Sequence, residues 1–473
     1  MMDTLPEVSY AWARTHRILI QYIELTGPLV LICPTSNLGA LAEISRLGMG
    51  FLVREVSVEE WDSALTSRYA QQGSGTAKLM GELEEDVDLS QLMHDMPAIE
   101  DLLESSDDAP MIRMFNALLT QASREGASDI HIEISEQGSQ VRFRVDGTLR
   151  EVVSLKKALH SALISRLKIM AQMDIAEKRL PQDGRIALRV GGRPVDVRVS
   201  TIPTGHGERA VLRLLDKEAG RLDLSKLGMS ALTLTQFDGL IRAPHGVVLV
   251  TGPTGSGKTT TLYAALSRLD FKTTNVLTVE DPIEYHLDGI GQTQVNARID
   301  LTFGRALRAI LRQDPDVIMI GEIRDNETAQ IAVQASLTGH LVLATLHTND
   351  AISAVTRLID MGIEPFLLAS SLLGVLGQRL IRKWCPDCHD DSERVIHCMT
   401  CGRTGYQGRT GVYELFTVDT TVRALIHERA AEQKLKDYAN NKGFKNMYQD
   451  GLRWVEAGIT SSAELLRVTG EQP

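Results

Sequence analysis

Gly246-Val247-Val248-Leu249-Val250-Thr251 runs directly into Gly252-Pro253-Thr254-Gly255-Ser256-Gly257-Lys258-Thr259-Thr260. The first six residues form a short apolar run, the pattern of a buried parallel strand. The next eight, Gly252 to Thr259, form a complete phosphate-binding loop, and a helical segment follows from Lys258 to about Leu269. The glycines are needed because several backbone N–H groups must converge on phosphate oxygens, which a Cβ would obstruct. Lys258 supplies a point charge to the terminal phosphates, the Thr259 hydroxyl is placed to ligate Mg²⁺, and the helix N-terminus favours the anion. Gly252 to Thr260 are therefore the expected nucleotide contacts. A chance glycine-rich turn would not be full length and set between a strand and a helix.

Further apolar runs at Val276 to Val279, Val317 to Ile320 and Leu341 to Ala344 alternate with helical segments. Strand–helix alternation predicts a parallel sheet covered by helices on both faces. Two of these runs end in acids. Asp316 to Glu322 is an apolar strand ending in a carboxylate, of the kind that holds a Mg²⁺ shell or its water. Glu280-Asp281-Pro282-Ile283-Glu284 places three carboxylates in five residues, a costly arrangement beside triphosphate unless a metal or an attacking water uses them. Each pattern alone also fits a solvated strand end. His340 and His347 flank one strand; they read equally well as γ-phosphate sensors or as structural residues.

A second domain starts near Ala109-Pro110, with a helical stripe over 111–124 and alternating strands at Asp129 to Ile134 and Val141 to Val145. Ile186 to Val190 and Val195 to Ser200, joined by Gly191-Gly192, read as a further hairpin. Arg144, Arg185, Arg198 and Arg209 lie in this domain. Any one of them fits surface charge, yet an arginine brought in trans is a common stabiliser of a transferring phosphoryl group. Gln182-Asp183-Gly184-Arg185 reads as a tight turn that would hold such a side chain rigidly.

Cys385-x2-Cys388 and Cys398-x2-Cys401 match a closed tetrahedral zinc site, with Cys33 standing alone. His389 and His397 lie nearby, but four cysteines suffice. At 473 residues, about three domains are expected. The net charge is −11, and the segment 81–108 alone carries eleven Asp or Glu and no Lys or Arg. The remainder is near neutral and aromatics are 5%, so the sequence offers no basic field for nucleic acid. No stretch reaches the ~18–20 apolar residues of a membrane span; the best, 18–33, carries Glu24 and Gly27-Pro28. Nor is there a secretory-signal pattern at the start. A cytoplasmic protein is expected, touching the membrane only through partners.

Taken together, these elements closely resemble the secretion and type IV pilus ATPase superfamily. Ala127 to Glu133, Leu180 to Arg185 and Leu311 to Asp316 match its assembly-type members. Leu5-Pro6, Ala11 to Arg14, Asp101 to Glu104 and Asp107 to Pro110 resemble its type II secretion ATPases, the protein E family of the general secretion pathway. The resemblance implies an α/β chain. It would comprise a partner-docking domain (1–72), an acidic linker (73–108), a PAS-like α+β domain (109–225) and a RecA-like P-loop ATPase core (226–383). An inserted tetracysteine zinc ribbon (384–412) and a helical C-terminal subdomain (413–473) would follow.

The same resemblance implies a homo-hexamer that hydrolyses ATP with Mg²⁺ to drive pseudopilus assembly and protein export. Glu284 becomes the general base and Glu322 part of the Mg²⁺ shell with Thr259. The implied partners are the cytoplasmic part of a bitopic inner-membrane secretion protein, reached through the N-terminal domain, and a polytopic inner-membrane platform protein. Only nine residues separate Cys388 from Cys398, so the ribbon's projecting loop is short for the family. The short N-terminal domain favours secretion; a type IV pilus extension ATPase is the alternative.

Overall fold

The computed structural model describes residues 16–23, 27–37, 39–40, 52–58, 60–61, 64, 109–190, 193–216, 223–389, 392–398 and 400–470. The linker at 71–76, the acidic stretch 73–108, most of the helix expected over 58–69, the motifs at 5–6, 11–14 and 101–104, and the Gly191-Gly192 turn lie outside the described residues. The chain divides into two compact units, one running to Met96 with Val190–Gly192, the other comprising Pro97–Arg189 and Arg193–Pro473. Among the described residues no helix is long and apolar enough to cross a membrane.

In the first unit β1 (Ile18–Ile23) pairs antiparallel with β2 (Gly27–Ile32), and β2 pairs parallel with β3 (Leu52–Glu55). The most apolar stretch of the N-terminal region is thus two paired strands, Ile18 opposite Ile32. Leu19, Leu31, Cys33 and Trp61 bury one another beneath it.

The second unit opens with α1 (Ala109–Arg124), β4 (Ala127–Ile134), β5 (Ser139–Val145), β6 (Thr148–Leu155) and α2 (Lys157–Met170). Three strands follow: β7 (Gln182–Val190), β8 (Arg193–Thr204) and β9 (Gly207–Asp216). They form a six-stranded sheet in the order β6-β5-β4-β9-β8-β7. Period-two alternation sorts its faces. Ile130, Ile132, Val141, Phe143, Val197, Val199, Ala210 and Leu212 are buried, together with Phe115 and Leu118 of α1 and Leu163 and Leu167 of α2. Asp129, His131, Glu133, Arg142, Arg144, Arg198, Arg209 and Arg213 occupy the alternate positions. The predicted pairing of 129–134 with 141–145 is present, with Ile130 opposite Phe143. The expected turn at 182–185 is not: those residues begin β7, and the Gln182 amide instead braces the preceding loop through Asp174 and Glu177.

Next come α3 (Ala231–Ile241), β10 (Gly246–Thr251), α4 (Lys258–Leu266), β11 (Val276–Glu280), β12 (Gly291–Gln294), α5 (Phe303–Ile310), β13 (Val317–Ile320), α6 (Asn326–Leu337) and β14 (Leu341–Leu346). They continue with α7 (Ser353–Asp360), α8 (Pro365–Ser371), β15 (Leu372–Trp384), α9 (Ser392–His397) and β16 (Tyr406–Thr417). The sheet order is β12-β11-β13-β14-β10-β15-β16, parallel except for β16. Both faces of the central strands are covered. Val247 and Leu249 of β10 enter one apolar cluster, with α5 to α8. Val248 and Val250 enter the other, with Phe237 of α3 and Leu262 of α4. This is why β10 reads as an unbroken apolar run.

Sequence patterning does not mark β15, whose thirteen residues follow α8 without a break. Its hairpin with β16 carries the four cysteines at its far end, where Trp384 pairs with Tyr406. The remaining helices are α10 (Thr420–His427), α11 (Glu432–Asn441), α12 (Met447–Glu456) and α13 (Ser462–Thr469). Met447 and Leu465 pack on Ile381 and Val412 of the hairpin. Glu464 of α13 is buried there. Burial alone would raise its carboxyl pKa, but hydrogen bonds from Arg467 and Arg382 (each 2.7 Å) hold it at about 2.

A depressed carboxylate contributes stability that is full above its ordinary value of 4.5 and is lost as pH falls toward about 2. Glu464→Gln, which leaves two guanidinium groups without their shared anion, is expected to cost about 3 kcal/mol. Thermal melts across acid pH should show the wild-type advantage over Glu464→Gln shrinking within that window.

Candidate active site and metal centre

The phosphate loop leaves β10 at the end where its parallel neighbours β14, β13 and β11 also finish. Gly252, Gly255 and Gly257 have φ of 147°, 80° and 85°, backbone shapes that side chains disfavour. A Cβ at Gly252 would meet the Gln378 carbonyl and, at 2.7 Å, Ser256 Oγ. Lys258 is buried, and its Nζ donates to the carbonyls of Gly252 (2.8 Å) and Pro253 (3.0 Å). Burial pushes the ammonium below its usual range, and the nearby Glu322 carboxylate partly offsets that. Thr254 and Gly255 are exposed; Thr259 and Thr260 are half-buried in the first turn of α4.

The acidic box divides. Glu280 is buried and satisfied by Tyr263, by Thr278 Oγ1 (2.5 Å) and by Gln292 Nε2 (3.1 Å), so it braces the strand end. Burial first, then the Glu280 charge, raises the Tyr263 phenol well above its usual value, which keeps it a hydrogen-bond donor. Glu284 is half-exposed. Its backbone N–H lies 3.4 Å from Tyr263 Oη, and its carboxylate lies 3.6 Å from Arg198 Nη1. Arg198 also donates to the Ile283 carbonyl at 2.9 Å, so β8 of the six-stranded sheet reaches the acidic box within one chain.

Glu322, two residues beyond β13, bonds to Arg324 and lies 3.3 Å from His347 Nε2. Arg324 also lies 3.6 Å from Asp281, joining the two acidic elements. Sequence reading passes over Arg324, although it stands two residues after a proposed metal-binding carboxylate.

The two histidines separate. His347 follows the loop end of β14, whereas His340 precedes Leu341 at the opposite end, where its carbonyl accepts from Gly246 N–H. A six-residue strand spans about 20 Å, so His340 does not stand at this loop; its Nδ1 is engaged with Ala335 O and Thr338 Oγ1. Of the four arginines only Arg198 meets the acidic box. Arg185 is paired with Asp196, Arg209 with Glu133 (2.6 Å), and Arg144 with Gly147 O (2.9 Å).

Cys385, Cys388, Cys398 and Cys401 are buried, and their sulfurs all lie within 4.8 Å of one another. Cys385–Cys398 and Cys388–Cys401 are separated by 3.8 and 3.7 Å. Four thiolates at the ~2.3 Å bonds of tetrahedral zinc stand about 3.8 Å apart, so the set fits that ion. Gly405 N–H donates to Cys401 Sγ at 3.2 Å, the kind of bond that orients a metal-bound thiolate. His389 is not in the cluster; it stacks on Trp384.

A full-length phosphate loop between a buried parallel strand and a helix, with acids ending the adjacent strands, defines a RecA-like nucleoside triphosphatase. The family model for type II/IV secretion system proteins matches residues 104–467, and that for an amino-terminal domain of GSPII protein E matches residues 7–69. The type II secretion system protein HxcR of Pseudomonas aeruginosa is 61% identical over 471 residues, covering 99% of each chain. The type II secretion system ATPase E of Vibrio cholerae is 52% identical over 493 residues, covering 99% of this chain and 98% of its own. The crystal structure of the pilus retraction motor PilT with bound ADP superposes with a TM-score of 0.53 at 28% identity, covering 74% of this chain and 96% of that one. The chain belongs to the type II/IV secretion system protein family, and it is an ATP-hydrolysing secretion ATPase.

Gly252→Ala should weaken ATP binding at least about tenfold, since the added Cβ meets backbone and φ forbids it an easy escape. Equilibrium binding of a fluorescent ATP analogue would measure this.

Proposed function

We propose that this chain is the motor of a type II secretion system, acting as a hexamer on the cytoplasmic face of the inner membrane to drive pseudopilus assembly. The observation that carries the catalytic reading is the Arg198–Glu284 contact, which holds a half-exposed carboxylate at the edge of the phosphate-loop face. ATP binds along Gly252 to Thr260, and Lys258 exchanges its loop carbonyls for phosphate oxygens. Thr259 Oγ1 and Glu322 would hold Mg²⁺, which would supply charge neutralisation on the phosphates. Glu284 accepts the proton of the attacking water, with Arg198 fixing its carboxylate. His347 and Arg324 hold Glu322 in place.

Arg185 and Arg209, with side chains 60% and 37% exposed, are the candidates to reach a neighbouring subunit's nucleotide, exchanging Asp196 and Glu133 for phosphate oxygens. The N-terminal unit docks on the cytoplasmic part of a bitopic inner-membrane protein. A polytopic platform protein receives the stroke, and membrane contact is indirect.

Two outcomes test this reading. Glu284→Gln should retain ATP binding yet lower kcat by about 10²–10⁴-fold, the usual worth of a general base, in phosphate-release assays. Lys258→Ala should lose binding itself. Wild-type rates in both variants would refute the assignment.

The ribbon holds one zinc. Elemental analysis should give about one per chain, and because a structural zinc can contribute on the order of 10 kcal/mol, a strong chelator should melt the ribbon without unfolding the RecA-like core. A metal-free protein with an ordered ribbon would refute it.

A further inference from the structure

A loop that turns its N–H groups inward to phosphate turns carbonyls outward, and a buried outward carbonyl needs a donor. Ser256, 4% exposed, lies against β15, where Gln378 is 2% exposed. Gln378 Nε2 donates to the Ser256 carbonyl at 2.7 Å, and Gln378 Oε1 accepts from Thr261 Oγ1 at 2.7 Å. Both ends of the amide are engaged. Reversing it would set its oxygen against the Ser256 carbonyl, so the two bonds fix its orientation. Register explains the placement. Thr251, the last residue of β10, pairs with Gly377, so Gln378 is the first residue of β15 beyond that end, where the loop begins. The loop leaves no slack around it: a Cβ at Gly257 would lie 2.9 Å from Gln378 Nε2.

The Ser256 carbonyl and the Gly257 N–H belong to one peptide group. In a planar trans peptide these two bonds point in opposite directions. Holding the carbonyl against β15 therefore aims the Gly257 N–H toward the concave side of the loop.

We propose that Gln378 is a positioning residue for ATP, which sets the Ser256–Gly257 peptide in its phosphate-binding orientation before nucleotide arrives. It does not touch the reacting atoms. The inference rests on the reading that this loop holds ATP. Thr261 serves the same end by fixing the Gln378 amide, and neither residue is marked by the phosphate-loop motif itself.

Gln378→Glu keeps the shape but removes the donor and sets a carboxylate against a carbonyl. In the full-length protein, the Kd for a fluorescent ATP analogue should rise about tenfold or more, equivalent to 1.4 kcal/mol. The kcat at saturating ATP should change less than the Kd, because positioning acts on binding. A crystal structure of the nucleotide-free variant should show the Ser256–Gly257 peptide turned from its present orientation, a readout independent of ATP binding that separates failure of this clamp from failure of the site reading. Thr261→Val, which also keeps its shape, should weaken binding by a few-fold, and its effect in the double variant should be less than additive. This second variant carries the test if Gln378→Glu does not fold. A wild-type Kd with the Ser256–Gly257 peptide unmoved in the folded variants would overturn the proposal. So would fully additive losses in the double variant.

Discussion

Everything the second unit does depends on the parallel register of four strands. Gly246 stands opposite Leu341, Val317 opposite Leu341 from the other side, and Val276 opposite Val317. Because the strands start level and run the same way, they deliver the phosphate loop, the Glu322 strand end and the acidic box to a single edge. Parallel pairing is sustained here by burial on both faces. The two apolar clusters that flank β10 hold the strands in place, and the loop glycines then adopt shapes an ordinary residue would resist.

That edge is not finished by the RecA-like sheet alone. Glu284 is held by Arg198, which arrives from a different sheet built on antiparallel pairing. The β5–β6 turn makes a second bridge between the two sheets. Asp146 accepts from Gly408 N–H at 2.7 Å and pairs with Arg409 at 3.2 Å, beside the hairpin that carries the cysteines. The phosphate-loop edge and the cysteine hairpin are thus each tied to the six-stranded sheet by charged groups.

Much of this is legible in the sequence because it is encoded locally. The loop glycines, the four apolar runs and the paired cysteines announce themselves by spacing, and the structure arranges each as expected. What escapes depends on pairing between distant segments. Gln378 looks like any polar residue inside β15, and only the pairing of β10 with β15 sets it under Ser256. His340 and His347 look equivalent by sequence, yet a strand's two ends lie at opposite edges of a sheet. Glu280 and Glu284 stand four residues apart, but one turns inward to Tyr263 and the other outward to Arg198. Among the arginines, alternation shows which face away from the core, while partners such as Glu133 for Arg209 and Glu284 for Arg198 become clear only once distant segments are brought together.

In the mechanism proposed above, a hydrolytic centre on the RecA-like sheet is completed by a cation from the six-stranded sheet. Its most direct test is Arg198→Ala in the full-length protein, with ATP affinity and kcat measured separately. The predicted result is an unchanged Kd and a kcat lower by more than about tenfold, as expected when a group that orders catalytic charge is removed. An unchanged kcat would contradict it, and so would a loss confined to ATP binding.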